Sequence, residues 1–510
     1  MSAPDPKAGQ SDAAVIDIGS NSVRLVLYRL DGRAIWSVLN EKVLAGLGRD
    51  LLRTGRLAPD GVAAALIALR RFSALIASSR PRLVFAAATA AVREAKDGEA
   101  FRERVERETG LTMRILSGEE EARYAAFGVM AGAPGAQGLV GDLGGASLEL
   151  TPLGPAGPGR GVTLPLGPFS MDGGGARFDA AGARLVAHRR IAAVEGAFRS
   201  ETLNAVGGAW RNLALLHMRM TGYPLEVVHQ YEMNRQDVLD ATRVISQQSR
   251  GSLDRVQGIS RRRLESLPHA AVVLEALVER LGLQRVVISA YGLREGLLWE
   301  ALPPEIRGLP PLIAGCAALG NRPDAAESLG EALEAWLRPL FSHLAPLFGA
   351  RDRTLLAAAC RLADLGAKLH PDHRAELVFH QVLRAPVADL DHIERAFLAC
   401  AAFGRHTSAP QTPEGALVER LLSPERRQRA RALGAALRLA CDLSGRGPDL
   451  LARTRLDLKG ETLLLQADPD WAPVLLGDPA AKRAQTLGDI LGRPVKVRAS
   501  ARATTLTPAM

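Results

Sequence analysis

The sequence predicts a mixed α/β protein made of two related halves, followed by a helical domain and a small α+β module. Three observations lead there. A buried-strand pattern, Ala13-Ala14-Val15-Ile16-Asp17, passes through Ile18-Gly19-Ser20-Asn21-Ser22 into a second apolar run, Val23 to Leu30. The same order returns at Gly138-Leu139-Val140-Gly141-Asp142, Leu143-Gly144-Gly145-Ala146-Ser147 and Leu148-Glu149-Leu150-Thr151. From Ala325 to about Ser444 the apolar spacing is helical almost throughout.

Taken in order, the first repeat reads as a strand, a tight Gly/Ser/Asn turn and a returning strand. Pro59 to Ser79 has helical spacing, with Asp60 placed to cap it, and Leu83 to Ala88 is a short run of the strand kind. Ala100 to Thr109 reads as helix, Met113 to Leu116 as strand, and Ser117 opens a helix carrying Glu119, Glu120 and Glu121. After the second repeat, residues 151–160 are a Pro/Gly-rich surface loop, and helices dominate from Ala183 until a strand at Arg285 to Ser289. A helix then begins at Tyr291. Leu451 to Gln466 reads as a hairpin turning at Lys459-Gly460, Ala480 to Leu491 as a helix and Val495 to Val497 as a last strand. The resulting division is a disordered tail at 1–12, domains at 13–128 and 129–304, a linker at 305–324, a helical domain at 325–448 and the α+β module at 449–510. A chain of 510 residues is long enough for several such cores.

Composition is globular, 47% hydrophobic and 23% charged. The N-terminus lacks a basic segment followed by an apolar one, and no span-length apolar run is apparent, so a cytoplasmic protein without membrane association is expected. Cys316, Cys360, Cys400 and Cys441 are widely spaced and read as reduced core thiols. A net charge of +9 favours an anionic partner, because a basic channel concentrates phosphates. Aromatic residues are only 4% of the chain, which leaves few stacking platforms for single-stranded nucleic acid. No Walker lysine motif, zinc-finger spacing or RNA-binding aromatic signature is present, so nucleic acid is not the expected partner.

A strand ending in aspartate and followed by glycine and serine can hold phosphate and metal together. Glycines let backbone N–H groups approach the oxygens and allow positive φ, and the aspartate holds Mg²⁺ directly or through water. Two copies imply two halves facing one ligand. An arginine such as Arg93, placed after a strand, offers paired donors that fit a phosphate.

These segments resemble the two phosphate motifs of the exopolyphosphatase/guanosine pentaphosphatase (Ppx/GppA) family, in its long form with a C-terminal HD-like helical domain. That family belongs to the actin, heat-shock chaperone and sugar kinase superfamily of ribonuclease H-like folds. Ser117-Gly118-Glu119-Glu120-Glu121-Ala122-Arg123-Tyr124 is similar to its catalytic-glutamate segment, and Ala205-Val206-Gly207-Gly208 and Ser289 to Gly296 match two later segments. The resemblance spans residues 13–300. It implies two ribonuclease H-like domains. Glu121 is implied as the general base that activates water, with Glu120 as the alternative, and Arg93 as a phosphate-binding catalytic arginine. Ser20, Asn21, Ser22, Gly144, Gly145, Ala146 and Ser147 are implied as phosphate donors, and Asp17, Asp142 and Glu149 as Mg²⁺ ligands.

The implied reaction is Mg²⁺-dependent removal of the terminal phosphate of inorganic polyphosphate, with pppGpp 5′-phosphohydrolysis and a superfamily ATP-binding or kinase module as alternatives. Guanosine tetra- or pentaphosphate is a further implied substrate or regulator, and a homodimer is the implied assembly. Two departures stand out: Ala146 replaces a third glycine, and Leu148 a common threonine. Were positive φ needed at 146, alanine would cost about 1 kcal/mol there. Ala363-Asp364 replaces the His-Asp pair of a metal-active HD site. The arginine runs Arg261-Arg262-Arg263 and Arg426-Arg427-Gln428-Arg429 are candidates to line the path of a long polyphosphate.

Overall fold

In a computed structural model, residues 12–171, 178–247, 267–320 and 329–500 are described. The chain divides into two compact units, Met1–Leu309 and Pro310–Met510.

The first unit contains two sheets with one plan. Strands β1 (Ala13–Ile18), β2 (Val23–Asp31), β3 (Ala34–Val43), β4 (Leu83–Ala88) and β5 (Met113–Ile115) lie in the order β3-β2-β1-β4-β5. β1 runs antiparallel to β2 and parallel to β4. The second sheet comprises β6 (Gly138–Leu143), β7 (Leu148–Gly154), β8 (Gly157–Pro158), β9 (Val162–Leu164), β10 (Thr202–Val206), β11 (Glu232–Asn234) and β12 (Arg285–Ile288). Its path β9-β7-β6-β10-β12 repeats the first sheet strand for strand and direction for direction. β8 and β11 are additions at β7 and β12.

Alternation along β1 divides its side chains between two cores, as a strand covered on both faces requires. Ala14, Ile16 and Ile18 join Leu66, Leu69 and Phe72 of the helix Pro59–Ser79 on one side. Ala13 and Val15 join Tyr124, Leu293, Leu297 and Leu298 on the other. The last three lie on the helix Leu293–Ala301, which follows β12 in sequence but packs on the first sheet. The chain therefore returns to the first lobe before leaving the unit. There it crosses the helix Gly118–Gly132 at Gly128 and Gly296, where any β-carbon would overlap the facing backbone.

Several sequence expectations are corrected. Asp60 does not cap its helix; Ala58 occupies that position and Asp60 pairs with Arg49 at 3.1 Å. The same helix, Pro59–Ser79, is long and apolar enough to cross a membrane, contrary to the reading that no such stretch exists. One face of it, Ala65, Leu66, Ala68, Leu69 and Phe72, is buried against the first sheet, and Arg70 and Arg71 pair with Glu108 and Glu41. The 151–160 loop is largely the end of β7 and the hairpin to β8. β10 lies inside the stretch read as helical, because Asn204 interrupts a five-residue apolar strand and donates to the carbonyls of Gln137 and Leu139. The described part of the 305–324 linker carries the helices Pro304–Arg307 and Pro311–Gly320, whose prolines stand at helix starts, where a missing N–H costs little.

In the second unit, helices Leu329–Ser342, Arg351–Arg361, Arg374–Arg384, His392–His406 and Pro424–Ser444 bury a Leu/Ala/Phe interior. Strands β13 (Thr454–Lys459), β14 (Thr462–Ala467) and β15 (Val495–Ala499) form a small sheet beside the helix Asp478–Leu491. Gly460, at φ 58°, makes the hairpin turn. The four cysteines are buried free thiols.

Candidate active site

The two predicted turns have the same local construction. Gly19 N donates to Ser22 O at 3.0 Å, and Gly144 N to Ser147 O at 2.9 Å. They also face each other: a β-carbon on Gly145 would lie 3.1 Å from the Ser20 β-carbon and 3.4 Å from Asn21 N. Close approach, rather than positive φ, is what Gly145 provides, and none of Gly19, Gly144 and Gly145 has positive φ. Ala146 also lacks it, so the alanine is unstrained. It is buried against Gly167, whose N–H donates to Ala146 O at 3.0 Å, and a side chain at Gly167 would overlap it.

The aspartates end equivalent strands but face different partners. In the first hairpin Asp17 is opposite Arg24; in the second Asp142 is opposite Glu149. Burial raises the Asp17 carboxyl, while Arg294, Arg24 and Lys42 work to lower it. Burial and Asp17 push Asp142 up to about 6, against Arg211 and Arg294. Glu149 is 2% exposed, and its Oε1 has no hydrogen-bond partner. Burial and the Glu121 charge raise it well above the ordinary range.

The structure also sorts the three glutamates. Ser117 caps the helix Gly118–Gly132 by accepting from Glu120 N at 3.1 Å, and Glu120 accepts in return from Ser117 N at 2.9 Å. Glu120 is further paired to Arg114, so it is occupied in holding the helix start. Glu121 instead is buried and accepts from Arg93 Nη1 at 2.9 Å, while that nitrogen also donates to Leu116 O at 2.9 Å. Burial pushes Glu121 up to about 7, with Arg93 pulling down and Asp142 and Asp17 adding to the rise. A carboxylate poised near neutrality, with a fixed cation at one oxygen, can accept a proton from water.

Asp142, Glu149 and Asp17 are hard oxygen donors whose charges oppose one another, and the orphaned Glu149 oxygen lacks any donor. Both features fit a divalent cation. Among the described residues, no three acidic, histidine or cysteine side chains form a metal cage. Mg²⁺ commonly takes only one or two carboxylates and fills its shell with water and phosphate, so the residues fit that ion.

Sequence reasoning missed the cations on the Asp17 side. Arg24 follows from hairpin register, since pairing Ile18 with Val23 places Arg24 across from Asp17. Arg294 and Glu295 lay within a quoted segment without a role. Glu295 receives Tyr28 Oη at 2.6 Å and Gly292 N at 3.0 Å, which fixes the start of the helix that carries Arg294. Arg211 donates to Ala290 O at 3.2 Å, and no motif marked it.

Residues 26–305 match the Ppx/GppA phosphatase family, and residues 348–497 match the family "Exopolyphosphatase, C-terminal". The chain belongs to the Ppx/GppA phosphatase family. Exopolyphosphatase 1 of Mycobacterium tuberculosis is 26% identical to this phosphatase over 310 residues, 58% of this chain and 89% of its own length. The guanosine-5′-triphosphate,3′-diphosphate pyrophosphatase of Pseudoalteromonas atlantica is 25% identical over 461 residues, 86% of this chain and 87% of its own. Among solved structures, the Aquifex aeolicus family member has 26% identity and a TM-score of 0.50, covering 56% of this chain and 95% of that one. An exopolyphosphatase from Cytophaga hutchinsonii shares the fold at 20% identity and a TM-score of 0.53, over 57% and 97% of the two chains.

Proposed function

We propose that this phosphatase is an exopolyphosphatase, hydrolysing the terminal phosphate of inorganic polyphosphate with Mg²⁺ and water to release orthophosphate. The observation that carries this reading is Glu121: buried, held by Arg93, raised to about 7 and placed among Asp142 and Glu149 rather than in the helix cap. In it, Ser20, Asn21, Ser22, Gly144, Gly145 and Ser147 line two facing turns that bracket a phosphate with backbone and hydroxyl donors. The seventh turn residue, Ala146, offers only its N–H.

Glu121 orients water for in-line attack and takes its proton, and Arg93 keeps the carboxylate aimed while presenting its remaining N–H groups to the transferring phosphoryl oxygens. Asp142 and Glu149, with Asp17 opposite, would hold Mg²⁺, which supplies charge neutralisation on the phosphate oxygens when bound. The net charge of +9 supports a long polyanion as substrate.

A second reading, hydrolysis of the 5′-phosphate of pppGpp, is favoured by the Pseudoalteromonas relative, which aligns along 86% of this chain. Phosphate release from long polyphosphate and from pppGpp, each with and without Mg²⁺, separates the two. The polymer reading expects release from polyphosphate that stops with EDTA and with Glu121→Ala. Release from pppGpp alone replaces it with the second reading, and an active Glu121→Ala enzyme removes the assigned base.

A further inference from the structure

Strand register places a row of three polar side chains across the second sheet. Asp142 of β6 is opposite Glu149 of β7, and Glu149 is opposite Thr163 of β9. The cores on either side settle which face they occupy. Leu148, Leu150 and Leu164 join one core, whereas Val140 and Leu153 join Ala125, Ala126 and Val129 of the helix Gly118–Gly132 in the other. Alternation along each strand therefore turns Asp142, Glu149, Thr151 and Thr163 toward that helix, which also carries Glu121. The glycine contacts agree. A β-carbon on Gly118 would overlap Thr163 Oγ1, and one on Gly161 would lie 2.7 Å from the Ala122 β-carbon and 2.8 Å from Thr151 Oγ1.

Among the described residues, the buried side-chain oxygens without a hydrogen-bond partner are Glu149 Oε1, Thr151 Oγ1 and Thr163 Oγ1. All three belong to this patch. Directly opposite residues on antiparallel strands have β-carbons about 4.5–5.5 Å apart, and same-face neighbours along one strand about 7 Å, so one small molecule can reach all three oxygens. Glu149 and Thr151 are 2% and 1% exposed, which keeps bulk solvent from serving them. The arginine run Arg426-Arg427-Gln428-Arg429 is by contrast engaged: Arg426 donates to Leu347 O, Arg427 pairs with Glu419 and Arg429 donates to Ala345 O. The other run, Arg261-Arg262-Arg263, lies outside the described residues.

Buried polar groups that do not reach one another are commonly joined by a water with about three polar neighbours. Two hydroxyls that can donate and a carboxylate that only accepts are complementary to it. The water accepts from both threonines and donates one of its own hydrogens to Glu149 Oε1. We propose that Thr151 and Thr163 bind a water on the β9 side of Glu149 and are positioning residues for this Mg²⁺ ligand. The positioning role rests on the Mg²⁺ reading above: one lone pair of Oε1 stays available to the cation while the water takes the other. Outer hydrogen bonds of this kind fix the rotation of a ligating carboxylate. The matching row in the first sheet, Asp17, Arg24 and Lys42, has cations in both outer places, so the water site belongs to the acidic turn alone.

The test uses the full-length chain. An atomic-resolution crystal structure is expected to show a water within hydrogen-bond reach of all three oxygens in the wild type, and none there when Thr151→Val and Thr163→Val are combined. Hydroxyls bonded directly to Glu149, with no water between them, would overturn the site. Mn²⁺ is the probe for the ligand's aim, its binding read without substrate from the loss of the free ion's electron paramagnetic resonance signal. Each valine variant should bind Mn²⁺ about tenfold more weakly, and Thr151→Ser and Thr163→Ser within about threefold of wild type, because serine keeps the hydroxyl. In turnover, the Mg²⁺ concentration for half-maximal activity should rise with valine by the same factor, while kcat at saturating Mg²⁺ changes less than about twofold. Affinity unchanged by valine, or lost equally with serine, overturns the positioning role. A wild type that binds no Mn²⁺ instead removes the metal reading and the positioning role with it, and the crystal structure alone then decides the water. Failure of the catalytic reading and failure of this site are therefore distinguishable.

Discussion

The two phosphate turns share strand order, closing hydrogen bond and terminal aspartate, yet the residue opposite each aspartate has opposite sign. Arg24 faces Asp17, and Glu149 faces Asp142. Around Asp17 the added charges are chiefly the cations Arg294, Arg24 and Lys42, with Glu295 working against them. Around Glu149 they are chiefly the carboxylates Glu121 and Asp142. One backbone device has thus been given two electrostatic settings. On the proposed reading the basic end holds phosphate, while the acidic end needs a cation and activates water.

If water is activated at the acidic end, Glu121→Gln should lower kcat by about 10²–10⁴-fold, the range for a positioned general base, with little change in KM. Glu121 acts as a base only when ionised, so kcat/KM should rise with pH through an apparent pKa near 7. Arg93 pulls that carboxyl down, so Arg93→Met should move the rising limb to higher pH as well as slow the enzyme. A pH–rate profile checks both. An unmoved limb in Arg93→Met would mean that some other group sets it.

The acidic end should also be a stability burden without metal. Asp142 is raised from 3.8 to about 6, so the folded state holds its proton more tightly than the unfolded chain. The burden is absent below the ordinary carboxylate pKa, grows as pH rises through that window and is complete above about pH 6. Asp142→Asn is therefore expected to stabilise the metal-free protein by about 1–3 kcal/mol at pH 7.5 and by little at pH 4, while reducing activity. Urea unfolding at the two pH values measures this. Equal effects at both would place the change in packing rather than charge.

At the basic end, Arg24→Met should raise KM about tenfold while kcat falls less, since it removes a cation that binds rather than one that activates. A kcat loss as large as that of Glu121→Gln would erase the distinction between the ends.

Much of this was visible in the sequence because it rests on local pattern. Two Asp-Gly/Ser turns between apolar runs gave both hairpins, and Ser117 marks the start of the helix that carries the three glutamates. What escaped depends on distant packing. The helix Leu293–Ala301 joins the first lobe because Gly128 and Gly296 let two backbones meet, a fact of tertiary contact. β10 was hidden by Asn204, whose bonds reach carbonyls more than 60 residues away. The resemblance implies Glu121 ahead of Glu120, but its contact with Arg93, 28 residues away, carries no local signature, and neither do Arg294 and Arg211.

The smallest expected effect concerns the departure that looked most damaging. Ala146 stands where a third glycine was expected, and a positive φ there would have made alanine a liability. Because its φ is not positive and it is buried against Gly167, restoring glycine removes a methyl contact and frees the unfolded chain. Ala146→Gly should therefore cost about 0.5–1 kcal/mol of stability, with kcat and KM changed less than about twofold. Differential scanning calorimetry with steady-state phosphate release decides it. A large gain in kcat would mean that the methyl group does crowd the phosphate, and that the second turn differs from the first in shape as well as in charge.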